Sequence, residues 1–306
     1  MKKRILLTGA TGFLGSHIAR VITNYNIELI ALKRENSNLF RCKTFQNKVN
    51  WINIDTAGGW KKKVIDLNPT HLIHSAWIAV DSNQRDDIKK QIENIYFLSD
   101  LLKISKKINL TQIIGFGSQA EYGILNDKVS EDNIANPVSL YGATKVATQQ
   151  ILKTFCELNK IDWIWLRLFS ITGEHENNNW LIPSIISKVI AGKTINMTLG
   201  EQKYSYMYVN DFALIILKLI NSKVDSGIYN VSANNPKTIK EITNLICEKL
   251  NILTKINWGA FTYRPNQSMH LEGETYKLKK QIGDYEITGI SETLDNIILH
   301  HKKQLL

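Results

Sequence analysis

Tyr141 and Lys145 stand four residues apart in the run Tyr141-Gly142-Ala143-Thr144-Lys145. On a helix that spacing puts both side chains on one face, a turn apart. A free phenol ionises near pH ~10, too high for easy proton exchange at neutrality. A neighbouring ammonium favours the phenolate and lowers that pKa, which makes Tyr141 a usable acid or base. Taken alone, the pair fits an ordinary amphipathic helix as well. Ser118 adds a third proton-bearing group. It closes the apolar run Gln112–Gly117 and precedes Tyr141 by 23 residues.

The second chemically suggestive stretch is Thr8-Gly9-Ala10-Thr11-Gly12-Phe13-Leu14-Gly15, directly after the apolar Ile5-Leu6-Leu7. Gly9, Gly12 and Gly15 suit a tight turn, a close backbone approach to a pyrophosphate, and close packing of helix on strand. The helix start that follows, with Thr11, Phe13 and Leu14, presents free N–H groups and a positive dipole end to an anion. Such a turn at the end of a first strand predicts a dinucleotide site. The next β-rich run, Leu29-Ile30-Ala31-Leu32, enters Lys33-Arg34. An acid at that strand end takes the ribose hydroxyls of NAD, whereas cations suit the 2′-phosphate of NADP, which Arg34 can grip bidentately. NADP(H) is therefore expected ahead of NAD, although Glu35 is close enough to serve as an NAD-type acid. Lys145 can also donate to the nicotinamide ribose.

These groups need a scaffold, and the hydrophobic pattern supplies one. Strands are predicted at Arg4–Thr8, Glu28–Leu32, Asn50–Asp55, His71–Ala76, Gln112–Ser118 and Asp162–Phe169. Helices are predicted over Phe13–Tyr25, within Gln84–Lys106 and after Ser139. Short apolar strands alternating with helices mean βαβ units and a doubly wound parallel sheet of the Rossmann type. In such a sheet Ser118 falls at the strand end that borders the ligand crevice. After Phe169 the rhythm breaks: Gly173–Asn179 reads as a loop and Trp180–Ile190 as a helix. A return over Tyr208–Val231 is predicted to carry a helix at Asp211–Ile220 and a strand at Ile228–Val231. The expected division is a dinucleotide-binding domain of residues 1–170 plus 206–233. A smaller α/β substrate lobe would take 171–205 plus 234–306.

Composition narrows the class. The 306 residues are 43% hydrophobic and 22% charged, ordinary for a globular protein. No run approaches the ~18 uncharged apolar residues of a membrane span. Met1-Lys2-Lys3-Arg4 is basic, but Ile5-Leu6-Leu7 leads straight into the glycine turn, with no room for a secretory signal. A cytoplasmic location without a membrane partner is expected. Cys42, Cys156 and Cys247 are scattered and odd in number, which supports neither a disulfide framework nor a metal site. The net charge of +10 raises nucleic-acid binding. Its spread along the chain fits a solvated lysine-rich surface better, and the same field suits anionic small ligands.

The glycines are spaced Gly-x-x-Gly-x-x-Gly instead of Gly-x-Gly-x-x-Gly. With Tyr141, Lys145 and the preceding Ser118, the chain resembles the extended short-chain dehydrogenase/reductase family, the NAD(P)-dependent sugar epimerases and dehydratases. That resemblance implies Ser118, Tyr141 and Lys145 as catalytic residues and a nucleotide-diphosphate sugar as substrate; a homodimer is also expected. It implies that Asp55 and Thr56 meet the adenine, and that Ser75 and Ala76 wall the nicotinamide ribose with Trp77 toward the sugar. Asn94 corresponds to a structural asparagine. Leu168 and Ser170 would border nicotinamide and substrate, although asparagine is commoner than Ser170. Tyr206–Ala213 resembles the return segment, and Asn230-Val231-Ser232 and Arg264-Pro265 resemble its later landmarks. Arg264 would take the substrate diphosphate. Tyr204 departs from the pattern, standing where many such epimerases have a phosphate-binding arginine.

The neighbours of Ser118 discriminate among the reactions of this family. Sugar 4,6-dehydratases resemble one another in an Asp-Glu pair directly after the serine or threonine, and here Gln119-Ala120 stands there. GDP-fucose synthases pair a cysteine two places after the serine with a loop histidine. This chain has Ala120 and the loop Gly173-Glu174-His175-Glu176, leaving His175 as a candidate substrate contact beside Gln119. Ser118-Gln119-Ala120-Glu121-Tyr122-Gly123 looks like the loop of 4-ketohexose reductases. The expected activity is NADPH-dependent reduction of a nucleotide-linked 4-keto sugar. A 4-epimerase with tightly bound NAD is the alternative. A noncatalytic dinucleotide-binding protein associated with RNA is a third reading, opposed by the intact Ser118, Tyr141 and Lys145 set.

Overall fold

Strands that are apolar on both faces must be covered on both faces, and the chain does this with helices. The structure is a computed structural model and describes residues 2–305. Its first half runs β1 (Arg4–Thr8), α1 (Phe13–Asn24), β2 (Glu28–Arg34), β3 (Asn50–Ile54), α2 (Gly59–Leu67), β4 (His71–His74), α3 (Ile88–Ser105), β5 (Gln112–Ser118), α4 (Leu140–Asn159) and β6 (Asp162–Leu168). Then come β7 (Ile171–Thr172), α5 (Leu181–Ile190), β8 (Ile195–Asn196), β9 (Lys203–Tyr204), β10 (Met207–Tyr208), α6 (Val209–Asn221) and β11 (Gly227–Val231). The chain ends through β12 (Lys237–Thr238), α7 (Ile239–Leu250), β13 (Ile256–Asn257), β14 (His270–Leu271), α8 (Tyr276–Ile282) and α9 (Ile290–Leu305).

Seven strands form one parallel sheet in the order β11-β6-β5-β4-β1-β2-β3. The order reverses at β1, which pairs with β2 on one side and β4 on the other. This switch point opens a crevice beyond the carboxyl ends of the strands. One face of the sheet is covered by α1 and α6 through Ile18, Ile22, Phe212 and Ile216, and the other by α3 and α4 through Leu98, Leu101 and Leu152. A separate apolar cluster joins α5, α7 and α9 through Ile182, Ile186, Ile242, Ile246, Leu294 and Ile297. The doubly wound fold expected from the pattern is the one present.

Departures from the predicted elements have local causes. The helix predicted within Gln84–Lys106 begins only at Ile88, because the Asp87 side chain accepts from the Lys90 N–H and caps it. α2 was not foreseen; it starts where the Asp55 carboxylate accepts from the N–H groups of Gly59 and Trp60, and it buries Trp60 and Val64. α8 lies in the stretch assigned to the substrate lobe, yet its Leu278 and Ile282 pack into the core of the main sheet. No described helix is long and apolar enough to cross a membrane. Among the described residues no three His, Cys, Asp or Glu groups converge as metal ligands.

Candidate active site

The glycine turn lies at the sheet's switch point. Gly9 has φ +72°, a left-handed conformation that favours glycine, and a Cβ there would come within 2.8 Å of the Ala76 nitrogen. A Cβ on Gly15 would overlap the Gly9 carbonyl, so α1 can lie this close to β1 only with glycine at that position. Gly12 occupies the N-cap of α1 without any side-chain cap, leaving the first N–H groups of the helix, at Phe13 and Leu14, facing outward from its positive end. Thr8 Oγ1 links the turn to the other side of the crevice, accepting from the Ala76 N–H at 3.1 Å and contacting His74 Nδ1 at 3.0 Å. Burial lowers the His74 pKa to about 3, so this buried imidazole is neutral. The bare helix start and the glycine cradle fit a dinucleotide pyrophosphate, with Thr11, Ser75 and Ala76 beside it.

Lys33 and Arg34 end β2, longer than predicted by these two residues, and pair in register with Asn53 and Ile54 of β3. Lys33 is half-buried and Arg34 exposed. Both oxygens of the Asp55 side chain are engaged by α2. Thr56 follows it, exposed, at the same edge.

Ser118, Tyr141 and Lys145, far apart in sequence, meet at the ends of β5 and α4. Ser139 caps α4 by accepting from the Gly142 N–H, which fixes the first helical turn and the place of Tyr141. The Ser118 side chain acts on the Tyr141 phenol and favours its ionised form. Lys145 Nζ donates to the Phe116 carbonyl at 2.6 Å and sits 3.4 Å from the centre of the Trp77 ring and 5.7 Å from that of Tyr141. Burial pulls the Lys145 pKa down to about 7, against the charge of Glu121, which raises it.

The expected lowering of the Tyr141 pKa by Lys145 is not what the structure shows. Burial pushes the phenol above its ordinary value, opposed by the Ser118 side chain and the charge of Arg85. The Lys145 ammonium is turned toward a carbonyl and an indole face instead. Trp77, half-buried, makes an edge-to-face contact with Tyr141, carries Lys145 over its ring, and donates from Nε1 to Gln91. Asn94 plays the structural part expected of it, accepting from the Ile78 N–H and donating to the Lys90 carbonyl.

Two features of this cluster escaped the sequence. Glu121 is fully buried beneath Ser118. It accepts from the Ser118 N–H at 2.8 Å, from Trp165 Nε1 at 3.0 Å, and from Arg167 Nε at 2.8 Å. Arg167 in turn lies over the Tyr122 ring. Ser118 accepts from the Ala120 N–H, and together with Glu121 it forms a capping box around the turn Gln119–Glu121. The Ser-x-x-Glu spacing was the unread signal that could have found it. Arg85, 4.9 Å from the centre of the Tyr141 ring, had no such signal.

The remaining candidates are spread around this centre. Leu168 is the direct β-partner of Ser118, and Ser170, two residues on, accepts from the Met207 N–H. Gln119 opens the turn after Ser118 and is half-buried. Arg264 is exposed and faces Tyr204, whose hydroxyl accepts from Gln267 and donates to the Ser268 carbonyl. His175 is placed elsewhere. Its ring lies 4.2 Å from that of His300 and 6.3 Å from that of His17, and none of its described contacts is to Ser118, Tyr141 or Lys145. It has φ +66°, its carbonyl accepts from Arg41, and burial lowers its pKa to about 4.

Residues 5–232 match the family described as NAD dependent epimerase/dehydratase. A CDP-abequose synthase from Salmonella muenchen is 26% identical over 287 residues, 90% of each chain. A dTDP-6-deoxy-L-talose 4-dehydrogenase (NAD(+)) from Aggregatibacter actinomycetemcomitans is 25% identical over 88% of this chain and 98% of that one. Two solved structures share the fold. The UDP-N-acetylglucosamine 4-epimerase of Methanobrevibacter ruminantium M1 superposes with a TM-score of 0.89 at 22% identity, covering 99% and 100% of the two chains. The UDP-glucuronic acid 4-epimerase of Bacillus cereus, in complex with UDP-glucuronic acid and NAD, gives 0.86 at 18% identity, covering 98% and 99%.

Proposed function

Because the chain belongs to the NAD-dependent epimerase/dehydratase family, whose members act on nucleotide sugars, we propose that it reduces a nucleotide-linked 4-keto sugar with a nicotinamide dinucleotide. The observation that carries this proposal is the set of proton donors around Ser118. Tyr141 has the Ser118 side chain acting on its phenol, while Gln119 and Ala120 bring no acid or base. The one acid of that turn, Glu121, is fully buried and held by Arg167, Trp165 and the Ser118 backbone. One proton donor suffices for a reduction, whereas a dehydration needs a further acid/base pair. The name of the talose 4-dehydrogenase describes the reverse reaction on a nucleotide-linked 6-deoxy sugar.

When bound, the reduced nicotinamide supplies the hydride. Ser118 holds the keto oxygen, and Tyr141 gives it the proton as the carbonyl electron pair moves onto oxygen. Lys145 orients the nicotinamide ribose and Arg264 takes the diphosphate. Lys33 and Arg34, with no carboxylate partner among the described residues, favour NADPH through the 2′-phosphate. The NAD in the Bacillus cereus structure supports NAD as the second reading of the cofactor. A homodimer belongs to the same proposal, supported by exposed Ile88, Ile92 and Tyr96 on α3 and Ile151 and Leu158 on α4, and sedimentation should read twice the 35.0 kDa chain mass.

The second reading, a 4-epimerase, uses the same proton donor and returns the hydride to the sugar; the two epimerase structures favour it. Purified protein given a nucleotide-linked 4-keto-6-deoxyhexose should oxidise NADPH stoichiometrically and carry little bound cofactor. Protein that arrives loaded with NAD(H) and interconverts sugar epimers without net absorbance change at the nicotinamide band would make it an epimerase.

A further inference from the structure

We propose that Arg85 is a positioning residue for proton transfer, a cation that does not titrate, laid against the Tyr141 ring to favour its phenolate. Its guanidinium carbon lies 4.9 Å from the ring centre. Arg85 Nε is buried without an acceptor, and among the described residues no carboxylate pairs with the side chain, so its charge is not neutralised locally. The loop that carries it is held in place. The fully buried Gln91 donates to the carbonyls of Arg85 and Ala79 and accepts from Trp77 Nε1, the same indole that supports Lys145. Asp86 accepts from the Leu140 N–H at the first residue of α4, which ties the loop to the helix bearing Tyr141.

Four groups bear on the charge state of the phenol. Ser118 and Arg85 favour the phenolate, and Glu121 opposes it. Lys145 lies 5.7 Å from the ring centre but is bonded to the Phe116 carbonyl, and its charge fades across the neutral range because burial brings its pKa to about 7. The loop's own acids are committed elsewhere: Asp87 caps α3 and Asp86 holds Leu140. An arginine keeps its charge throughout, so it is Arg85 that sustains the positive field on Tyr141 when Lys145 is neutral.

The inference rests on Tyr141 as the proton donor and not on which sugar is reduced, and its test needs no substrate. The full chain is labelled with 3,5-difluorotyrosine, which acidifies the phenols into a range the fold tolerates, and its fluorine resonances are followed against pH. The resonance missing from Tyr141→Phe identifies the site. In Arg85→Gln the Tyr141 midpoint should rise by about 1 unit or more, the scale for losing a cation at this distance, and Arg85→Lys should restore most of the shift. A midpoint unmoved in Arg85→Gln would overturn the proposal. A shift equally large in Arg85→Lys would also overturn it, by making Arg85 a packing residue of the loop.

Discussion

The end of β5 with the start of α4, and the rim formed by residues 201–206 with 261–269, are built in opposite ways. In the first, polar groups find buried partners: Glu121 serves the Ser118 backbone, Trp165 and Arg167, and Lys145 serves the Phe116 carbonyl. In the second, contacts pass between exposed or half-buried side chains, Tyr263 to Glu201 and Gln267 to Tyr204, and Arg264 is exposed. Proton transfer needs donor and acceptor placed to within a few tenths of an ångström of hydrogen-bonding distance, which a packed, hydrogen-bonded setting holds. Recognition of a charged, flexible substrate tolerates a softer rim. The departure from the family's pattern at Tyr204 falls on the soft side and leaves the Ser118, Tyr141 and Lys145 set untouched.

This contrast is broken most directly at Tyr141. Tyr141→Phe should lower kcat by ~10²–10⁴, the usual range for losing a general acid, while calorimetry finds dinucleotide affinity unchanged because the glycine turn is not involved. A rate near that of the parent protein would move the chemistry away from the buried side. A smaller but still large effect is expected for stability at Glu121. Glu121→Gln leaves Arg167 buried without its counter-charge, a loss of ~3–5 kcal/mol in denaturant unfolding. Glu201→Gln on the rim should stay within ~0.5 kcal/mol. Equal losses would mean that the two regions do not differ in the way described. A smaller effect than that at Glu121 belongs to the exposed end of β2. Arg34→Ala should narrow the gap between NADPH and NADH affinities by ~1–3 kcal/mol, the scale of a charge-assisted hydrogen bond, without changing the unfolding midpoint. Equal affinities in the parent protein would remove the NADPH preference altogether.

Features that depend on neighbours in sequence were legible before any fold was known. The Gly9–Gly15 turn is a local demand on backbone geometry, and the Tyr141 and Lys145 spacing follows from helix periodicity. The apolar runs of β1 and β4–β6 announce a sheet covered on both faces. Element ends were less legible where a single capping carboxylate decides them, as Asp87 does for α3 and Asp55 for α2. His175, a reasonable candidate from its loop, was drawn instead into packing with His17 and His300.

By itself the sequence determined the parallel α/β scaffold, the glycine turn and the identity of the hydroxyl, phenol and ammonium groups that meet at the ends of β5 and α4. Each of these follows from residue type and short-range period. Tertiary structure alone decided how those groups are tuned. Arg167 reaches Glu121 across 46 positions, and Arg85 reaches Tyr141 from a loop that no periodicity marks. The rise in the Tyr141 pKa and the fall in that of Lys145 come from burial, which sums over every element packed around them. No stretch of sequence carries that sum, because the lost water is displaced by strands and helices distant in the chain.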